Sequence, residues 1–170
     1  MLDKKIVDKL NAQINMEWHS AYIYLNMSNY YSDVNLDGFA NWFRIQAQEE
    51  RDHALLFMDY LLLNSEKVVL GEVKAADAVY TDFRQALAAA YEHECRVSAS
   101  INDIYGSAYE AKDFRTMQFL DWFVKEQIEE EKNTDDILKR YDLFGTDAKG
   151  LYSLDAELKT RAYTAPSLVL

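Results

Sequence analysis

Cysteine occurs once, as Cys95, and proline once, as Pro166. A lone thiol excludes an intrachain disulfide and fits a reducing compartment. Five glycines and one proline in 170 residues leave few helix breakers, which favours long helices. Cations are in the minority. Lysine and arginine number 18 against 29 aspartates and glutamates, a net charge of −11. That balance speaks against a nucleic-acid surface and suits cations, although an acidic surface also serves solubility. No apolar run is long enough to span a bilayer, and nothing at the amino end reads as a signal peptide. The expectation is one domain over residues 1–170, cytoplasmic, with neither a membrane nor a nucleic-acid partner.

What is present is helical periodicity. The first stripe runs Ile6, Leu10, Ile14, Glu17, Ala21, Tyr24, Leu25, Ser28, Tyr31, which predicts a helix over about 4–33. Asn35, Asp37 and Gly38 form a short turn, with Asn35 or Asp37 as N-cap of a second helix over about 37–63. A short turn between long helices makes them antiparallel neighbours. From Asn64 to Thr81 the stripe disappears, and the segment reads as a long crossover along the outside of a bundle. Such a return is needed if the second and third helices run parallel. The third helix covers about 81–109, with the stripe Phe83, Leu87, Tyr91, Glu94, Val97, Ile101, Tyr105. The fourth covers about 114–143, with Leu120, Phe123, Gln127, Glu130, Thr134, Ile137, Tyr141. Gly145 to Gly150 reads as a turn, followed by a short fifth helix over about 153–161 and an irregular tail. The fold class is therefore all-α, a four-helix bundle with one long crossover and a short C-terminal helix.

Each long helix carries polar groups in the middle of its apolar stripe: Glu17, Glu50 with His53, Glu94, and Gln127 with Glu130. Glu50 and His53 lie three residues apart and share a face, as do Gln127 and Glu130. One mid-stripe glutamate is ordinarily a side chain that snorkels to the surface. Four at matching heights would converge in the core and repel one another unless cations balanced them. Two divalent ions would do so. Oxygen donors with one imidazole favour iron or manganese over a thiolate-seeking metal. Glu50, at the centre of the set, is placed to bridge two ions. His19 and His93 fall on other faces and read as non-ligands, and Cys95 lies off the stripe.

With these ligands in view, the chain resembles the ferritins of the prokaryotic non-haem type over nearly its whole length. The string Lys125 to Lys132 is, after the ligand set, the most specific match. The fourth helix carries Gln127-x-x-Glu130, as in ferritins, where the haem-containing bacterioferritins carry Glu-x-x-His. Those proteins also use a second-helix methionine as haem ligand, whereas Asp52 neighbours His53 here and Met58 lies further along, so no haem is expected. The resemblance implies two irons per subunit. One is held by Glu17, Glu50 and His53, and the other by Glu50, Glu94 and Glu130 with Gln127 beside it. Tyr24 matches the tyrosine next to that centre, and Trp122 matches a central aromatic for which packing is the simpler role. The implied activity is that of a ferroxidase. It oxidises ferrous iron with dioxygen and deposits ferric oxyhydroxide inside a cage of twenty-four subunits.

Glu126, Glu129 and Glu130 share one edge of the fourth helix, and Glu49 precedes the ligand Glu50. Charge pattern alone makes this a solvated face flanked by Lys125 and Lys132. The resemblance instead implies a third iron position at Glu49, Glu126, Glu129 and Glu130. Three other readings stand beside it. A rubrerythrin-like di-iron peroxidase usually adds a Cys-x-x-Cys module, which one cysteine cannot form. A DNA-protecting mini-cage places its metal between subunits. A metal-free helical interaction module would give no catalysed iron oxidation.

Overall fold

The computed structural model describes residues 2–170. Five helices make up the chain: α1 (Lys4–Asp33), α2 (Asp37–Leu63), α3 (Phe83–Glu110), α4 (Phe114–Phe144) and α5 (Ala148–Leu158). Asp3, Asp82, Asp113 and Asp147 cap four of the five N-termini, each side chain accepting a hydrogen bond from a first-turn amide.

The apolar core divides in two. One half contains Tyr24, Tyr31, Phe39, Phe43, Leu87 and Ile137, closed by Leu154 and Leu158 of α5. The other contains Ile6, Leu10, Phe57, Leu61, Ile101 and Leu120. The order of these residues gives the helix directions. Helices α1 and α4 enter the second half first, whereas α2 and α3 enter the first half first. The parallel pair α2 and α3 thus requires a return along the bundle, as the sequence pattern implied.

The crossover between α2 and α3 makes that return without secondary structure of its own. Asparagines of α1 supply what a neighbouring strand would have supplied. Asn11 Oδ1 accepts from Val69 N at 2.6 Å and Asn15 Oδ1 from Gly71 N at 2.7 Å. Asn11, Asn15 and Asn26 in turn donate to the carbonyls of Lys67, Val69 and Ala78. Side-chain amides present both donor and acceptor, so they match an extended backbone that finds no ladder.

Two expectations need correction. Neither Asn35 nor Asp37 caps α2. Asn35 takes the left-handed φ of 59° that turns the chain, and Asp37 already lies inside the helix. The cap comes from far along the chain: Asp155 Oδ1 accepts from Gly38 N at 2.8 Å and Phe39 N at 3.1 Å. Gly38 makes this possible, because a Cβ there would lie 1.7 Å from the Asp155 carbonyl oxygen. Helix α5 also starts earlier than expected, at Ala148, and ends at Leu158. Gly150 reads as a turn residue, yet it sits inside α5. A Cβ there would meet the Phe144 carbonyl at 1.8 Å, so the glycine serves close packing of α5 on the end of α4.

Replacing Asp155 by alanine should therefore lower stability by about 1 kcal/mol, the usual value of an N-cap, while asparagine should retain most of it. Denaturant midpoints of the two variants check this. An Asp155→Ala midpoint equal to wild type would show that α5 does not cap α2.

Candidate metal centre

Between the two apolar halves lies a polar layer. Glu17 and Tyr24 come from α1, Glu50 and His53 from α2, Glu94 from α3, and Gln127 and Glu130 from α4; none is more than 5% exposed. The layer follows from periodicity: the helical stripe that buries leucine and phenylalanine above and below must bury whatever stands at mid-helix.

Glu17, Glu50 and His53 form the tightest group, with one ligand atom from each lying within 4.8 Å of the others. His53 Nδ1 is 3.7 Å from Glu50 Oε2. Gln13 Nε2 donates to Glu17 Oε1 at 2.8 Å. The other oxygen of that carboxylate, Glu17 Oε2, is the one buried side-chain polar atom among the described residues with no hydrogen-bond partner. A buried acceptor left empty costs about 1–3 kcal/mol. A cation between Glu17, Glu50 and His53 would remove that cost, and the oxygen and imidazole donors suit iron.

Glu94 stands apart from this group and is held by its neighbours. Tyr24 donates its hydroxyl to Glu94 Oε1, and Gln127 Nε2 donates to Glu94 Oε2 at 3.2 Å. Glu130 accepts from Gln46 Nε2 at 2.6 Å through Oε2, and the same amide group lies 3.5 Å from Glu50 Oε1. A second group of converging ligand atoms joins His53, Glu126 and Glu130. The outer acidic position is thus gathered around an imidazole, while Glu129 is exposed and Glu49 is paired with Arg161 at 2.6 Å.

Burial governs the charge state. Desolvation pushes the carboxyls of Glu17, Glu50 and Glu130 well above the ordinary 4.5, and lifts Glu94 as well. Their mutual repulsion adds to the effect: Glu50 acts on Glu17, Glu94 acts on Glu50, and both Glu94 and Glu50 act on Glu130. Tyr24 is raised by burial first and by Glu94 second. Without metal, the layer holds protons more tightly than free carboxyls do.

Several supporting residues escape a reading based on ligands alone. Gln13 and Gln46 each precede a ligand glutamate by four residues, a same-face spacing that was legible in the chain. His93, expected off the stripe, is nevertheless buried and shares a 2.7 Å hydrogen bond with Ser20. Burial lowers it to about 4, with Arg96 and His19 adding to the shift. Neither His93 nor His19 belongs to the two ligand groups. Trp122 places its ring edge-on to His53, centroids 5.7 Å apart, and donates to Ser167 Oγ. Arg161 gave no local signal at all.

A bundle of four long helices with buried carboxylates and an imidazole at mid-height defines the class of carboxylate-lined metal proteins. The ferritin-like domain family matches residues 7–144, and the chain belongs to that family. A bacterial non-heme ferritin of Campylobacter jejuni is 36% identical over 162 residues, covering 95% of this chain and 97% of that protein. A probable bacterial non-heme ferritin-like protein of Haemophilus influenzae is 34% identical, covering 93% and 96%. Among solved structures, an open-pore ferritin from the archaeon Archaeoglobus fulgidus superposes with a TM-score of 0.93 at 39% identity, over 95% of this chain and all of that one. An engineered closed form of the same ferritin gives 0.94 at 40% identity, over 96% of this chain.

The raised carboxyls fix a pH dependence. A carboxyl with a raised folded pKa holds its proton more tightly in the fold, so its stabilising contribution is complete below 4.5 and is lost as pH rises through the folded value. His93 works in the opposite sense, its contribution complete above 6.5 and lost as pH falls toward about 4. Glu17→Leu combined with Glu130→Leu leaves His93 in place, so the difference from wild type isolates the carboxyls. Metal-free variant should be more stable than metal-free wild type at neutral pH by about 1–4 kcal/mol, the range for replacing buried charge by apolar groups. The gap should shrink as pH falls toward 4.5. Denaturant melts across pH measure it, and a variant less stable at neutral pH would contradict the stored repulsion.

Proposed function

We propose that this chain stores iron and oxidises it on the way in, acting as a ferroxidase. The observation that carries the reading is the unpartnered Glu17 Oε2, on a carboxylate gathered with Glu50 and His53 in a layer sealed above and below by apolar core. Glu17, Glu50 and His53 hold one ferrous ion. Glu50, Glu94 and Glu130 hold the second, with Gln127 orienting Glu94. Four carboxylates balance two divalent ions and favour the ferric state further, because the added positive charge is attracted more strongly.

Holding two ions side by side lets each give one electron in a single encounter with dioxygen. Tyr24, donating to Glu94, keeps that carboxylate turned toward the centre and stands ready as a donor beside it. Gln13 and Gln46 fix Glu17 and Glu130 in the same way. Residues Glu49, Glu126, Glu129 and Glu130 form an outer position for a third iron, weaker than the paired ones because water reaches it. No residue of the chain is assigned to haem. Relatives in the family point to oligomeric assembly; the proposed form is a 24-subunit cage in which ferric product hydrolyses to mineral.

The test is iron oxidation in air, followed by absorbance, on protein whose assembly is checked by size-exclusion chromatography. Wild type should elute as a cage and oxidise ferrous iron in a fast phase. Glu50→Ala removes a ligand of both ions and should slow that phase by at least about 100-fold, the upper range for losing even a supporting group at a metal site. Oxidation by Glu50→Ala at the wild-type rate would remove the paired centre from the reaction.

A further inference from the structure

Beyond α5 the chain runs back along α2, and Arg161 enters the bundle from that segment. Its guanidinium donates to the Trp42 carbonyl at 3.1 Å, to Gln46 Oε1 at 3.0 Å and to Glu49 Oε2 at 2.6 Å. It also lies 4.5 Å from the centre of the Trp42 ring. Asn41 Nδ2 donates to the Arg161 carbonyl at 3.1 Å, so the backbone is held as well as the side chain. Residues 42, 46 and 49 lie on one face of α2. The Arg161 and Glu49 side chains are only 21% and 17% exposed, so this pair is not one of the solvated surface pairs that contribute little.

Two consequences follow from the chemistry of the guanidinium. It has donors only. Its bond to Gln46 therefore turns the Gln46 carbonyl toward Arg161 and the amide N–H groups toward Glu130 and Glu50. It is also always charged. Glu49 adjoins the ligand Glu50 in sequence, is buried enough to be raised by desolvation, and feels both Arg161 and Glu126. Across from it, Glu126 and Glu130 converge with His53. A positive group thus already engages Glu49, a carboxylate that feels Glu126 of that convergence.

We propose that Arg161 is a resident cation of the outer position. Its guanidinium holds Glu49 where a metal ion would bind, and so sets how readily a third ion enters between Glu49, Glu126 and Glu130. This rests on the reading of the paired centre as iron-binding. An incoming ion and the guanidinium compete for the same carboxylate edge, and like charges at that distance repel. The outer position therefore fills after the paired one, and when Glu49 turns to the ion, the guanidinium keeps the Trp42 carbonyl and Gln46 Oε1 as its partners. Arg161 is a positioning residue here, acting through Glu49 and Gln46.

Calorimetric titration of the assembled protein with Zn(II), a redox-inert probe, separates the outer position from the paired one. Wild type should show tight sites and one weaker class. In Arg161→Gln the weaker class should gain about tenfold or more in affinity, while the tight sites, which lose the orientation of Gln46 toward Glu130 and Glu50, should not tighten. Arg161→Lys keeps a charge without the planar fork and should fall between. Adding Glu49→Gln to Arg161→Gln should cancel the gain. A purely structural Arg161 would lower the melting temperature without tightening any metal site. An unchanged or weakened outer class in Arg161→Gln overturns the proposal, as does a gain that survives Glu49→Gln. If Arg161→Gln does not assemble, Arg161→Lys decides: a tightened outer class supports the proposal and an unchanged one overturns it. Absence of any tight Zn(II) site in wild type would overturn the metal-centre reading itself, and the Arg161 proposal with it.

Discussion

Everything in this bundle is arranged around charge that has been taken out of water. Glu17, Glu50, Glu94 and Glu130 are buried between two apolar half-cores, where solvation that would stabilise a carboxylate is missing. The chain meets that penalty in two ways. Amide donors from Gln13, Gln46 and Gln127 satisfy some oxygens. A tyrosine hydroxyl from Tyr24 satisfies another. Glu17 Oε2 remains without a partner, and the remaining repulsion is expressed as raised pKa values. Such a layer is a poor way to stabilise a bundle and a good way to bind cations.

The same constraint shapes the surrounding packing. A charged layer contributes little cohesion, so the two half-cores carry it, with stacked rings on both sides: Tyr31 on Phe43 in one, Tyr60 on Phe119 in the other. The C-terminal segment is fastened to α2 at several points, from Asp155 at its first amides to Arg161 near its middle. That fastening links the C-terminal segment to the side of the buried carboxylate layer. It explains why a short helix that adds modest core area is held by such specific contacts.

The buried polar layer and the bounds of the four long helices were legible because both are local. A carboxylate in place of an expected leucine is visible in a stripe of period 3.6, and His53 three residues after Glu50 shares its face by geometry alone. The start of α5 was misread because Gly150 looks like a turn residue. Its place inside the helix depends on how closely two helix ends approach, which no local pattern states. The outer acidic position was only half legible. Glu126 and Glu130 converge with His53, while the engagement of Glu49 by a residue 112 positions away was not foreseeable.

The class is written in local order: few breakers and four apolar stripes dictate a helical bundle, and a polar residue set at mid-stripe in all four dictates a buried carboxylate layer. These follow from periodicity, which acts over a few residues and needs no knowledge of the partner helix. Packing settled which oxygen lacks a partner, that Gln46 reaches Glu130, and that Asp155 caps α2 while Arg161 holds Glu49. The Gln46–Glu130, Asp155–Gly38 and Arg161–Glu49 contacts join residues more than eighty positions apart, and the empty Glu17 Oε2 is the absence of a contact. Long-range contacts are settled by packing and by the directionality of hydrogen bonds, and neither is written in the local order of side chains.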